Sequence, residues 1–420
     1  MPVYADVMRE KLIESFRYAL EQTHPAALTK THLPAQTPSL IVSVGKAAMT
    51  MLEAARTAFP NTPFIAIPKD GSPSQDRTGR IIPAAHPVPN EKSVQAAEHV
   101  LDAISKLGSD DLLLLLVSGG GSSLMCAPWG ISLKTKQALT QALLRSGADI
   151  QETNAVRKHA SRIKGGRLAA ATQARILALY LSDVPGDDLS VIASGPTVPD
   201  GSTFADALGV LDKYGLEFSQ VRAHLQKGMA GELPESPKPA DRLFEQVENR
   251  LIGSNQTLLE AARGYWIAQG CEAVILSDRF QGEARELARF HAALVESIRT
   301  HQNPFKPPLV LLSGGEASVT VRGSGLGGRN QEFLAWLAFY LREKGVWALA
   351  ADSDGIDGNT DAAGAIITPE TWLKARNYNL DLKEHLIRND ASGFFTATGD
   401  LLVTGPTANN LNDFRVVYVE

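Results

Sequence analysis

Cysteine is almost missing: Cys126 and Cys271 are the only two in 420 residues. Two thiols so far apart in sequence make neither a disulfide framework nor a cysteine-rich zinc site. Long apolar runs are missing too, and the longest, Leu112 to Val117, is far too short to cross a bilayer. The opening MPVYADVMREKLIESFRYAL carries charges throughout, which fits an amphipathic helix and not a secretion signal. No basic block occurs. Lys+Arg total 41 against Asp+Glu 46, a formal net charge of −5, so the chain has no electrostatic footprint for nucleic acid or anionic lipid. These absences predict a cytoplasmic protein with neither a nucleic-acid nor a membrane partner. What is present is core-forming material. With 44% hydrophobic and 21% charged residues, the chain can bury large cores and is not of disordered composition. Its length predicts two or three domains.

Strand-like and helix-like segments alternate. Short apolar runs lie at 40–44, 64–67, 112–117, 176–181, 273–276, 309–312 and 346–350. Several are apolar at every position, the pattern of strands covered on both faces. Helical stretches separate them at 133–145, 154–171, 255–269, 282–299 and 330–344. This alternation predicts an α/β protein with mainly parallel sheets. The polar, proline-containing KGMAGELPESPKPAD (227–241) interrupts the pattern and reads as a linker. It puts a boundary near residue 240, giving domains 1–240 and 241–420. The alternating 414–419 reads as a late strand that can pair with either domain's sheet. An internal echo links the halves: LLVSGGGSS at 115–123 with LLSGGEAS at 311–318, and ASGPT at 193–197 with VTGPT at 403–407. Gly-rich turns after strands look alike in any α/β protein; the sharper reading is two loops facing one cleft.

Several stretches carry candidate chemistry. Ser118, Gly119, Gly120, Gly121 and Ser122 follow a buried-type strand. Glycines there let backbone N–H groups turn toward a carboxylate or phosphate with no Cβ in the way. Gly45-Lys46 ends another such strand. A lysine at a helix start faces the positive end of the macrodipole, so Lys46 reads either as a solvated lysine or as a phosphate ligand. The Walker A pattern GxxxxGK[ST] does not occur. NAVRKHASRIKGGR (154–167) packs Arg157, Lys158, Arg162, Lys164 and Arg167 into one segment, either a solvated helix face or the positive wall of an anion cleft. Gly314, Gly315 and Glu316, in the second half's echo, join the candidate substrate- and phosphate-binding residues. So does His86 in AAHPVPNE, for which a turn-stabilising role is equally open.

The carboxylates fall in two groups. SDVPGDDLSVIASGPT (182–197) holds Asp183, Asp187 and Asp188; ADSDGIDGNTD (351–361) holds Asp352, Asp354, Asp357 and Asp361. Hard cations take oxygen ligands, and magnesium often uses only one or two carboxylates plus phosphate oxygens. Asp352 and Asp354 are the candidate metal ligands, with turn formation or helix capping the alternative for any single Asp. GSGLGG (323–328) fits G-x-G-x-x-G, with Asp352 one strand later, a partial dinucleotide fingerprint. The alternating ASVTVR before it reads as a half-exposed strand, unlike the first strand of a dinucleotide fold. Arg329 follows directly and can make bidentate contacts to phosphate.

Taken together, VSVGKAA, AAHPVPNE, LLVSGGGSSLM, NAVRKHASRIKGGRLA, SDVPGDDLSVIASGPT, LLSGGEASVTVRGSGLGGRNQEF, ADSDGIDGNTDAAGA and TGPTANNLND resemble the class II glycerate kinases, the family with a C-terminal MOFRL domain. The resemblance runs from about residue 40 to residue 413. One departure is Ala160, where the family pattern has leucine, a packing change that touches no catalytic role. The resemblance implies a Rossmann-like N-terminal domain, a smaller α/β MOFRL domain and an active site in the cleft between them. It implies transfer of the ATP γ-phosphoryl group to the 2-hydroxyl of D-glycerate, giving 2-phosphoglycerate, and points to Lys46 and Arg329 as catalytic cations. Phosphoryl transfer spreads negative charge over equatorial oxygens, so cations and positioning supply most of the catalysis. On this reading magnesium bridges phosphate oxygens, and Asp183 or Asp188 orients the substrate hydroxyl. Ser118–Ser122 with Lys158 hold the glycerate carboxylate. A homodimer is compatible with it. Two rivals stand beside it. One is an NAD(P)H-dependent hydroxypyruvate reductase, a label members of the family have often carried, for which only GSGLGG and Asp352 speak. The other is a non-catalytic nucleotide- or sugar-acid-binding protein.

Overall fold

Runs that are apolar at every position become strands with a core on each face. The computed structural model describes residues 2–69, 71, 74–75 and 78–420. The chain divides into two units, residues 25–252 and residues 253–420 joined by the N-terminal 2–24.

The sheet of the first unit contains β1 (Leu40–Val44), β2 (Phe64–Ile67), β3 (Ser74–Gln75), β4 (Gly79–Ile81), β5 (Leu112–Val117), β6 (Arg175–Leu181) and β7 (Val247–Gly253), in the order β3-β4-β2-β1-β5-β6-β7. Strands β4, β2, β1, β5 and β6 run parallel, and β3 is antiparallel to β4. Alternate residues of the same strand enter different cores. Val42, Leu113, Leu115 and Ala178 fill one, whereas Ile41, Leu114, Leu116 and Leu179 fill the other. Helices therefore cover both faces, as an α/β sheet of this kind requires. From β1 the chain winds through the helix Ala48–Ala58 to β2 on one side; β5, reached through Glu91–Ile104, pairs on the other side of β1. The winding reverses between β1 and β5, and in open parallel sheets ligands bind outside the strand C-termini at such a point.

The sheet of the second unit contains β8 (Glu272–Glu283), β9 (Leu309–Ser318), β10 (Trp347–Asp352), β11 (Gly364–Ile367), β12 (Leu401–Leu402) and β13 (Asp413–Val419), in the order β12-β11-β10-β13-β9-β8. Only β8 and β9 pair in parallel; the other pairs are antiparallel. The expectation of mainly parallel sheets thus holds for the first unit and fails for the second. The reason is the last strand: β13 inserts between β9 and β10, antiparallel to both. All seven of its residues are buried, so a short alternating segment that looked peripheral is central.

The structure also corrects the expected boundary. The division falls at 252–253 and not near 240, because 247–253 complete the first sheet as β7. The stretch 227–241 is no linker. Ser236 and Pro237 are buried, the Asp200 amide donates to the Pro237 carbonyl at 2.8 Å, and Glu235 bonds the buried His159 ring at 2.8 Å. The C-terminal strand stays in its own unit, and it is the N-terminal helix Pro2–Gln22 that joins from the far end of the chain. Its apolar stripe needs a cover: Leu12, Phe16 and Ala19 are fully buried in the second unit's core, with the Phe16 ring 5.1 Å from that of Phe414. The stretch 154–171 is not one helix; it ends at His159 and resumes as a single turn at Arg167–Ala170. No helix among the described residues is long and apolar enough to cross a membrane.

Candidate active site

The C-terminal ends of β1 and β5 lie side by side, Val44 opposite Val117, so the loops that follow them meet. The Lys46 amide donates to the Gly119 carbonyl at 2.9 Å, and the Ala47 amide donates to Ser118 Oγ at 3.0 Å. Gly45 has φ +128, and a Cβ there would lie 2.1 Å from Ser118 Oγ. Only glycine allows this approach. The Lys46 side chain is exposed. Gly120 makes room in the same way, since its Cβ would lie 2.9 Å from the half-buried His86 ring. Burial, then Lys46 and Lys69, hold this imidazole below its ordinary range, and Asp183 works against them. Lys46, His86, Asp183 and the glycine-rich loop are therefore electrostatic neighbours at the mouth of the first sheet. Asp188 has a different task. Its Oδ1 accepts the Ser190 amide at 2.8 Å and its carbonyl accepts those of Val191 and Ile192, which makes it an exposed turn-former.

Deeper in the same unit, cations gather at Ser122. Its Oγ accepts Arg157 Nη2 at 2.6 Å and Lys164 Nζ at 2.5 Å, and lies 3.0 Å from Ser194 Oγ. Lys164 is 1% exposed and Lys136 4%. Burial, then Arg157 and Lys136, push the Lys164 ammonium well below the usual lysine range; the buried Cys126 thiol opposes this. Burial, then Arg157, likewise lower Lys136. Among the described residues no carboxylate pairs with any of the three. Lys158, which sequence reasoning gave to the substrate carboxylate, is already committed. Its Nζ lies 3.4 Å from Asp200 Oδ1, both groups being buried. Lys164 was read only as one of five cations of a possible anion-cleft wall, and Lys136 was missed as a site residue. A signal for Lys136 existed: it shares the buried stripe of the helix Leu133–Ser146 with Leu139 and Leu143, where a lysine is out of place.

In the second unit Arg329 is held by three carboxylates. Nε donates to Asp413 Oδ1 at 2.6 Å, Nη2 to Asp352 Oδ2 at 2.8 Å and Nη1 to Glu316 Oε1 at 3.2 Å. Burial disfavours its charge, but Asp413, Asp352 and Glu316 outweigh it, so the guanidinium is held above its ordinary range. Burial keeps the Asp352 carboxyl well above the usual range, against Arg329 and together with Asp354 and Asp413. Asp352 and Asp354 do not fit a metal site. The Asp352 oxygens take Arg329 and the Asp354 amide, and Asp354 Oδ1 caps the Ile356 amide at 2.9 Å. Among the described residues no group of three or more His, Cys, Asp or Glu is arranged to hold a metal ion.

The echo between the halves dissolves in three dimensions. Ser118-Gly119-Gly120 is a loop, but Gly314 and Gly315 lie within β9, opposite Phe414 and Asp413. A Cβ on Gly314 would sit 1.7 Å from Asn255 Oδ1, and one on Gly315 2.2 Å from the Phe280 carbonyl. These glycines permit close packing and form no substrate loop; Glu316 binds Arg329. The GSGLGG segment is also packing. A Cβ on Gly323 or Gly325 would meet the backbone at Arg388 or Asp390. The amides of Asn330 and Gln331, at the start of the helix Arg329–Leu341, donate to the Asp357 carboxylate at 3.1 and 2.9 Å. A protein carboxylate thus fills the helix N-terminus where a dinucleotide pyrophosphate would dock.

The family described as "Domain of unknown function (DUF4147)" matches residues 11–226, and the MOFRL family matches residues 309–413. An Agrobacterium vitis protein named "Putative hydroxypyruvate reductase" is 41% identical, covering 98% of this chain and 94% of that one. The D-glycerate 2-kinase of Thermotoga maritima is 40% identical, covering 97% of this chain and 98% of that one. The crystal structure of glycerate kinase from Thermotoga maritima superposes with a TM-score of 0.90 at 38% identity, covering 99% of this chain and 100% of that one.

Proposed function

The chain belongs to the DUF4147–MOFRL family of glycerate kinases, and from that premise we propose that it transfers the γ-phosphoryl group of ATP to the 2-hydroxyl of D-glycerate, releasing ADP and 2-phosphoglycerate. One observation carries the reading: at the switch point of a parallel sheet, an exposed ammonium, a glycine-rich loop, an imidazole and a carboxylate come from four distant segments to one place. Lys46 stabilises the charge that spreads over the transferring phosphoryl oxygens, and within the glycine-rich loop the amides of Gly119 and Gly120 offer donors to anionic oxygens, those of Ser118 and Gly121 being held by the Val44 and Ser118 carbonyls. Asp183 orients the attacking 2-hydroxyl and draws its proton. His86, biased toward the neutral ring, can hydrogen-bond that hydroxyl without competing for phosphate. In the second unit, Arg329 Nη1 faces Glu316, its one exposed carboxylate partner among the described residues, so that N–H can be offered to an anionic oxygen.

Family kinship also implies magnesium. Since Asp352 and Asp354 are engaged elsewhere, its oxygen ligands would come chiefly from the nucleotide phosphates. The reductase reading loses its sequence basis, because GSGLGG packs against backbone and Asp357 caps the helix that follows.

The test incubates the purified chain with D-glycerate, ATP and magnesium, following ADP release and assigning the product by phosphorus NMR, beside a second reaction with hydroxypyruvate and NAD(P)H. The expected outcome is ADP with 2-phosphoglycerate. ADP with 3-phosphoglycerate would overturn the regiochemistry, and nicotinamide oxidation without ADP would overturn the kinase reading.

A further inference from the structure

We infer that Lys136, Arg157 and Lys164, grouped with Ser122 behind the glycine-rich loop, form a subsite for a small carboxylate, that of the acceptor acid. The anion follows from the geometry; its identity as the acceptor's carboxylate rests on the kinase reading.

A buried charge is stable only when it is paired and hydrogen-bonded. Lys158, paired with Asp200 in the same unit, keeps the rule. Here two buried ammoniums, Lys136 and Lys164, and the half-buried Arg157 guanidinium meet with no carboxylate partner among the described residues. The Ser122 hydroxyl has two acceptor lone pairs and one proton. Arg157 and Lys164 take the lone pairs, the proton goes to Ser194 Oγ, and the Ser194 hydroxyl in turn reaches Asn154 Oδ1 at 3.3 Å. The serine is thereby fixed and saturated. Lys164 Nζ also reaches the Ser122 carbonyl at 3.0 Å. The remaining N–H groups of Arg157 and the whole Lys136 ammonium donate to no acceptor among the described residues. Among the described residues, the titratable group that opposes this positive charge is the Cys126 thiol. Unpaired cations at this degree of burial destabilise the fold, and such sites are retained where a ligand supplies the missing charge.

The ligand is a carboxylate for two reasons. Lys136 and Lys164, 4% and 1% exposed, are within reach of a small anion, not of a hydrated polyphosphate that carries its own metal ion, and Arg157 beside them is half-buried. A planar carboxylate also matches the guanidinium fork of Arg157 with two parallel hydrogen bonds. Ser122 closes the same loop whose start meets Lys46. An acid held here by its carboxylate presents its adjacent hydroxyl toward the groups that perform the transfer.

Lys136→Met in the full chain is the test. Methionine removes the charge at similar volume, so the urea midpoint should hold or rise. The KM for D-glycerate should rise by about 10-fold or more, the equivalent of about 1.4 kcal/mol, with the KM for ATP unchanged. Arg157→Lys, which keeps charge but loses the fork, should raise the glycerate KM as well. An unchanged glycerate KM in a folded Lys136→Met would overturn the subsite. A rise confined to the ATP KM would overturn the carboxylate and leave a phosphate site. If the wild-type chain phosphorylates no hydroxy acid, the kinase reading fails separately, and calorimetry with D-glycerate and with inorganic phosphate decides the subsite. Glycerate binding lost in Lys136→Met upholds it; binding of phosphate alone, or of neither, ends it.

Discussion

Arg329 Nε donates to Asp413 Oδ1 at 2.6 Å, and Asp413 is completely buried, with its second oxygen taken by the Ala317 amide and by Arg415. This arginine therefore neutralises a carboxylate cluster whatever else it does. Arg329→Ala leaves Asp352 without a cation and Asp413 with Arg415 as its one remaining cation among the described residues, and should cost about 3–5 kcal/mol of stability, read as a lowered urea midpoint. Loss of turnover in that variant would then report folding as well as chemistry. A wild-type midpoint would remove the structural role.

Lys46 offers a cleaner experiment, since its side chain is exposed and its backbone amide, kept in any substitution by alanine, ties the two loops. Lys46→Ala should lower kcat by about 10²–10³-fold, the range for loss of one charge-stabilising group. Stability should stay within about 0.5 kcal/mol of wild type. Turnover close to wild type would take Lys46 out of the catalytic set.

The two aspartates that sequence reasoning could not separate should now behave differently. Asp183→Asn should lower kcat by roughly 10²–10⁴-fold, as removal of a general base does, whereas Asp188→Asn should leave kcat within about 3-fold, because an amide oxygen can still accept the Ser190 amide. Equal losses in the two variants would undo the assignment.

Asp357 makes stability depend on pH. Burial pushes its carboxyl up to about 6 from an ordinary 3.8, while the helix amides oppose the shift. Between those values the folded chain binds more protons than the unfolded chain. The contribution of this group is thus full below about pH 4 and is lost as pH rises through about 6, on the order of 2–3 kcal/mol. Urea midpoints at pH 4, 5, 6 and 7 should show that decline in the wild type and not in Asp357→Asn. Parallel curves for the two proteins would exclude it.

Gly314→Ala tests whether the second Ser-Gly-Gly is packing. The added methyl would lie 1.7 Å from Asn255 Oδ1, and Asn255 cannot swing away without losing its bonds to the Leu411 and Asp413 carbonyls at 2.6 and 2.8 Å. A destabilisation of at least about 3 kcal/mol is expected. A stable, folded variant would reopen the loop reading.

The strands were legible because burial on both faces leaves no polar position. The runs at 40–44, 64–67 and 112–117 are the strands β1, β2 and β5 residue for residue. The boundary was not legible. A proline-rich composition looks the same in a linker as in a loop pressed onto His159, and only the partners of Glu235 and Pro237 tell them apart. The paired glycines misled for a related reason: a glycine marks a close approach, and the sequence does not say whether the approaching group is a ligand or Asn255.

What the sequence by itself determined is the doubly covered strands at 40–44, 64–67 and 112–117, the alternation of strand and helix, and the loop that carries Ser118 to Ser122, because periodicity and turn chemistry are local. Tertiary structure alone decided that β13 lies at the centre of its sheet, that the N-terminal helix belongs to the second unit, and that Lys158 is neutralised while Lys136, Arg157 and Lys164 are not. Those outcomes depend on which charges and apolar faces meet across distant segments. Electrostatic energy follows distance and burial in space, and neither quantity is written in the order of residues along a chain.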